Sequence, residues 1–176
     1  MKNLKTVILL STIIVISCHN AQAQDGPEHR MSPIVIEQTT VDDAYMKVVY
    51  GQPYKRNRDI FGELVPYGEV WRAGANEATE FTLTSDIKFG GEDLKAGTYS
   101  LFAIPNEGSW TMIVSSQLGQ WGAFDYDEGK DVFRFNVPVK KNDEVSEAFT
   151  IKFAEDGSAL NLMWDNTAVS VPVSVD

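Results

Sequence analysis

Cysteine is the first scarcity. The 176-residue chain holds a single one, Cys18, so no disulfide can form within it. Histidine is the second: only His19 and His29 exist, and His19 sits beside a cleavage-like region. A Ser-His-Asp or Cys-His arrangement would have to rest on His29, in a polar lead segment, and a zinc site lacks both its histidines and its cysteines. Glycine loops of the two common phosphate-binding types are missing as well. The sequence therefore names no catalytic residue, no metal ligand and no cofactor. Basic residues are also few, with 15 Lys and Arg against 25 Asp and Glu and a formal charge of −10. That sign opposes binding to phosphate backbones or anionic lipid, so nucleic acid is not an expected partner. No run after the N-terminus approaches the ~20 apolar residues of a membrane helix, and neither an extended helical period nor an internal repeat is present.

The N-terminus carries the clearest positive signal. Lys2 and Lys5 precede Val7 to Ile16, an apolar stretch broken only by Ser11 and Thr12. A core of roughly ten residues fits a signal peptide and is too short to span a bilayer. Two cleavage readings compete. Ala21-Gln22-Ala23 is a small-x-small site that makes residues 1–23 the signal peptide and Gln24 the new N-terminus. Val15-Ile16-Ser17-Cys18 resembles a lipobox, which would make residues 1–17 the leader and Cys18 the lipidated terminus. Either way the chain reads as exported to the periplasm or cell envelope, touching a membrane only through a lipid anchor at Cys18. Residues 24–31, polar and with Pro27, read as a short tether, and 32–176 as one domain.

Past the tether the period is two. Phe133, Phe135, Val137 and Val139 share one face, as do Phe149, Ile151 and Phe153, and again Val169, Val171, Val173 and Val175. Such alternation marks half-buried strands. Further strands are expected at Ile34 to Thr39, Tyr45 to Tyr50, Glu80 to Thr84, Thr98 to Ile104 and Trp110 to Ser115. Apolar residues occupy both faces of Thr98 to Ile104, which predicts a central strand. Pro172 removes a ladder donor and predicts an edge or a bulge. Gly90-Gly91, Asn106-Glu107-Gly108, Asp156-Gly157-Ser158 and Asp165-Asn166 supply turn chemistry between apolar stretches. The expected fold is all-β: an antiparallel sandwich of roughly eight to ten strands with Greek-key or jelly-roll-like connections.

Two segments break the pattern. Tyr50 to Asn76 mixes Gly and Pro with basic and aromatic residues, while Gln117 to Lys130 carries Trp121, Phe124 and Tyr126 among acids. Long irregular segments in a compact domain are more often functional than ordinary connectors. The run from Asp59 to Thr79 contains Ile60-Phe61-Gly62, Val65-Pro66-Tyr67-Gly68 and Trp71-Arg72-Ala73-Gly74-Ala75-Asn76-Glu77-Ala78-Thr79. With Ala96-Gly97-Thr98-Tyr99-Ser100-Leu101-Phe102, Gln120-Trp121-Gly122-Ala123, Tyr126 and Asp131, it resembles the DUF2911 family of exported bacterial proteins, common in Bacteroidetes. The resemblance covers nearly all of the chain beyond the tether and implies neither an activity nor a catalytic residue. One departure is Gln52, where many members place a basic residue before the Pro; a charged site using that residue would be weaker here.

Trp71, Arg72, Asn76 and Glu77 form the best candidate for a ligand site. Arg offers a planar donor fork, Asn and Glu add donors and acceptors, and the glycines allow close backbone approach. Trp121 and Tyr126 could add stacking faces for a sugar or aromatic group. The structural alternative makes Arg72 and Glu77 an internal ion pair pinning a loop, with Trp71 and Trp121 capping the core. Asp125-Tyr126-Asp127-Glu128-Gly129-Lys130-Asp131 clusters carboxylates as calcium sites do, but its spacing is not that of an EF-hand and Lys130 sits among them, so an acidic solvated turn before a strand is the favoured reading. The leading expectation is a non-enzymatic envelope module that binds a small polar ligand, a glycan or a protein partner. A polysaccharide hydrolase using two of Glu77, Glu80, Asp125 and Asp127 is the second, and needs one carboxyl with a raised pKa. A structural domain that docks to an envelope assembly through a sheet edge is the third.

Overall fold

A computed structural model describes residues 30–175, so the expected signal peptide, Cys18, both histidines and most of the expected tether lie outside the described residues. The fold is all-β. Its strands are β1 (Ile34–Val41), β2 (Ala44–Gly51), β3 (Thr79–Leu83), β4 (Ile87–Phe89), β5 (Glu92–Leu94), β6 (Gly97–Ile104), β7 (Ser109–Ser115), β8 (Asp131–Phe153) and β9 (Ala159–Val175), with one 3-10 turn at Glu128–Lys130. They form a single antiparallel sheet in the order β1-β2-β3-β6-β7-β8-β9-β4-β5, not closed into a barrel. Sequence neighbours pair throughout, except that the β4–β5 hairpin leaves β3 and crosses to pair with β9.

Strand β8 turns this one sheet into two layers. Asp131 to Pro138 pair with β7, whereas Val139 to Phe153 pair with β9, with register shifts between Lys141 and Thr150. Bulges bend a strand and raise its local twist, so the second half folds back over the first layer. Rings then meet across the layers: Phe81 lies 5.0 Å from Phe89, and Tyr50 lies 5.7 Å edge-on from Phe149. Tyr50 ties them by a hydrogen bond as well, its hydroxyl accepting from the Ile151 N–H at 3.1 Å. Eight to ten strands in an antiparallel sandwich is therefore what the chain builds.

Three sequence expectations change in detail. Val132 to Lys140 and Phe149 to Phe153 are halves of one strand, because the polar stretch between them stays extended. Asp165-Asn166 is not a hairpin turn. Asp165 does take a positive φ of 53°, but it does so inside β9, at the irregular pairing with Ser146. Arg30 and Met31, at the end of the presumed tether, pack on the body: Arg30 donates to Glu77 at 2.5 Å, and Arg56 donates to the Met31 carbonyl at 2.9 Å. Pro172 sits one residue past the Phe89–Val173 pair, opposite the Gly90 turn, where its missing donor ends the ladder.

Candidate functional site

The segment from Tyr50 to Thr79 is built by continuing and capping strands. Trp71 extends the β3 position of the ladder, exchanging both backbone hydrogen bonds with Ala103 of β6 at 2.7 and 2.8 Å. This turns its indole inward, where it meets Phe61, Trp110, Phe149 and Trp164 with ring centroids 5.0 to 6.1 Å away. Its Nε1 donates to the Gly74 carbonyl at 3.1 Å. Trp71 is thus a core residue, as the structural alternative had it, and offers a ligand little of its face.

Beyond Trp71 the chain makes a tight loop back to β3. The buried Thr79 hydroxyl donates to the Ala73 carbonyl at 2.6 Å, and the Thr79 N–H donates to the Arg72 carbonyl at 3.2 Å. The loop lies directly on the end of β2, where the Ala75 N–H donates to the Gly51 carbonyl. Only glycine fits at position 51, since a Cβ there would stand 2.0 Å from the Ala75 carbonyl oxygen. Ala73 and Asn76 take φ of 49° and 63°, and in the facing turn Arg56 and Asn57 take 50° and 57°. Non-glycine residues in this region carry about 1–3 kcal/mol of strain each, and such positions cluster where a ligand or a switch is held.

Between the two strained turns lies a cleft of about 310 Å³. Met31 and Ser32 border it on one side, Tyr54, Arg56 and Arg58 on another, Leu64 and Val65 on a third, and Arg72 and Asn76 close it over a floor of Trp71 and Trp164. Among the described residues no carboxylate lines it. Three arginines line it, in a chain of formal charge −10. Two of the arginines also hold the wall. Arg58 donates to the carbonyls of Lys55 and Tyr54 at 3.0 and 2.6 Å, and Arg56 reaches Met31 while lying 6.0 Å from the Tyr54 ring centroid. Arg72 is different. Its Nε is buried without an acceptor, and its side chain has no hydrogen-bond or ion-pair partner among the described residues. Burial alone pulls its pKa below the ordinary arginine value.

The candidates thus separate. Arg72 and Asn76 share the cleft, where Asn76 also donates to the Ser32 carbonyl at 3.4 Å. Glu77 lies outside it and pairs with Arg30, not with Arg72, so the expected Arg72–Glu77 ion pair does not form. Burial works against the Glu77 charge, but the Arg30 hydrogen bond, Glu77's own backbone and the Arg30 charge outweigh it and lower its pKa. Trp121 pairs with Glu77 through the backbone, and its ring is 59% exposed. Tyr126 belongs to the outer face of β6 and β7, where it lies 5.1 Å from Phe102 in a small cluster with Ala78, Ile113 and Ala123. Its hydroxyl donates to Asp131 at 2.7 Å and accepts from Arg134 at 2.6 Å. Burial first, then the hydrogen bond to Asp131 and its charge, push the phenol up to about 12 against the opposing Arg134.

Three of the four acids around Tyr126 are used internally. Asp127 caps the 3-10 turn by accepting from the Gly129 N–H, Asp131 accepts from Arg134 at 2.6 Å, and Glu128 pairs with the same arginine at 3.3 Å. Among the described residues, no group of three or more Asp, Glu, His or Cys gathers as a metal would require.

Residues 32–173 match the family described as "Protein of unknown function (DUF2911)". The chain belongs to the DUF2911 family. Nothing matches it among curated proteins or among solved structures. The run Asp59 to Thr79 supplies Leu64, Val65, Trp71, Arg72 and Asn76 to the cleft. Gln52 donates weakly to the Tyr50 hydroxyl at 3.5 Å and does not line the cleft, although Pro53 does. Sequence reasoning missed Arg56, Arg58 and Tyr54. The signal was the run Tyr54-Lys55-Arg56-Asn57-Arg58, the densest basic stretch of an acidic DUF2911 chain.

Proposed function

We propose that this DUF2911 protein is an exported, non-enzymatic module that binds a small anion in its arginine-lined cleft. The observation that carries this reading is Arg72, a half-buried cation with no partner among the described residues, in a cleft that none of their carboxylates lines. A buried charge left unpaired costs free energy that an internal acid or a ligand must offset. Among the described residues no internal acid does so. Guanidinium groups suit planar or tetrahedral oxyanions, which accept two parallel hydrogen bonds. The test is a thermal-shift series with phosphate, sulfate and acetate at fixed ionic strength. Anions that bind only the folded state raise Tm by mass action, and Arg72→Met is expected to abolish the rise. A rise of equal size in that variant, or none in either protein, refutes the reading.

Export rests on residues 1–23, and the mass of the protein recovered from cells tests it. A terminus at Gln24 or a lipidated Cys18 agrees with export; an intact Met1 does not. Hydrolysis through two carboxylates finds less support. Glu77 and Glu80 do border a second depression of about 190 Å³. Glu77 is nevertheless held in its charged form by Arg30, whereas a general acid needs the opposite. Docking to an envelope protein has one observation of its own: β1 is a sheet edge of eight residues that exposes Ile34 and Ile36. An Ile36→Lys variant that loses no partner in crosslinking of intact cells would remove that second reading.

A further inference from the structure

A bare inorganic anion would use only part of the cleft. Arg72 is half-buried, with its Nε fully so, while Arg56 and Arg58 are exposed and have some of their donors spent on carbonyls. The rest of the wall is apolar. Leu64 is 44% exposed and Met31 68%, with Tyr54 half-buried between them and Pro53, Val65 and Trp164 below. Apolar surface of this kind gains nothing from phosphate or acetate, which leave it hydrated. Burying it against a ligand contributes about 25 cal/mol per Å². The volume, about 310 Å³, falls at the low end of the ~300–1,000 Å³ typical of small-molecule pockets. It is larger than a simple oxyanion needs.

We infer that the natural ligand is an amphipathic oxyanion, a carboxylate or phosphate carried on a small aromatic or aliphatic body. The charged head sits against the Arg72 fork and Asn76, and the body lies along Leu64, Met31 and Tyr54. Arg56 and Arg58 flank that body, and a guanidinium stacks on a flat ring as readily as it pairs with an oxyanion. This rests on the anion-binding reading and narrows its ligand class.

The experiment titrates the full chain calorimetrically with acetate, phosphate, benzoate, phenyl phosphate and benzyl alcohol at constant ionic strength. Benzoate and phenyl phosphate are expected to bind about tenfold more tightly than acetate and phosphate, a gain that burial of about 55 Å² of apolar surface supplies. Comparing the two aryl anions distinguishes a carboxylate head from a phosphate head. Arg72→Met should remove binding of every anion, and Leu64→Asn should lower only the aryl preference. Equal affinity for bare and aryl anions overturns the apolar body and leaves the anion reading standing. Benzyl alcohol binding as tightly as benzoate overturns the need for charge. Binding by none of the five overturns both readings.

Discussion

Arg72 stands where a purely structural design would place something else. Its Nε is buried without an acceptor and the group gains no ion pair among the described residues, so in the ligand-free protein its burial works against folding. Arg72→Met keeps the length and most of the packing while deleting the charge. The ligand-free variant is expected to be more stable by about 1 kcal/mol, a rise in Tm of roughly 2–4 °C for a chain of this size, read by calorimetric melting. A loss of stability would mean that Arg72 is there to hold the loop. Tyr126 shows the opposite arrangement, a polar group fully provided for by Asp131 and Arg134. Its phenol is pushed up to about 12 from the ordinary tyrosine value of about 10, mainly by burial and then by Asp131. The folded state therefore keeps a proton that the unfolded chain releases, and stability falls as pH rises from about 10 to 12. Tyr126→Phe is expected to flatten this part of the alkaline stability profile, measured by urea unfolding at successive pH values.

At the scale of elements, the cleft depends on the fit between the 71–79 loop and the end of β2. Gly51→Ala would drive a methyl group to 2.0 Å from the Ala75 carbonyl, which backbone alone must relieve. The expected cost is roughly 2–3 kcal/mol in urea unfolding, together with weaker anion binding because Arg72 and Asn76 ride on the displaced loop. The strands around this loop were legible in the sequence wherever one face is buried and the other wet, as in β2 and the first half of β8. Period two fails where both faces meet solvent. The middle of β8, around Lys140, Lys141, Asn142 and Glu144, looks like a loop because nothing there alternates, although its backbone stays extended. The site was half legible for a related reason. Trp71 to Glu77 stood out by composition, but whether Arg72 meets Glu77 depends on which way the chain turns at Ala73 and Asn76. Ala73 gives no sign of its positive φ, and Asn76, a residue that tolerates one, gives only a weak sign. Arg56 and Arg58 reach the cleft only because Tyr54 pairs with Ala148 across the sandwich.

For the whole molecule, the cleft lies where the two layers of the sandwich come together, so the clip between layers matters to both stability and site. That clip is Tyr50 and the chain after it. The Tyr50 hydroxyl meets the Ile151 backbone, the Phe149 N–H donates to the Pro53 carbonyl at 2.8 Å, and the Lys55 N–H donates to the Glu147 carbonyl at 2.7 Å. Lys55 adds an ion pair to Asp165, joining the same turn to β9. Tyr50→Phe deletes one oxygen and leaves the Ile151 N–H buried without an acceptor, which costs about 1–3 kcal/mol. The sign with pH is also fixed. Burial is the main cause raising the Tyr50 pKa, with Glu37 adding to it, against the hydrogen bonds from Ile151 and Gln52. The folded state again favours the neutral phenol, so the wild-type protein loses stability above the unfolded tyrosine value of about 10. The gap between wild type and Tyr50→Phe should therefore be widest near neutral pH and narrow as the solution becomes alkaline. Urea unfolding at pH 7 and pH 11 measures it directly. No gap at either pH would show that Tyr50 contributes packing alone, and the two layers would then be held by the backbone pairs at Pro53 and Lys55.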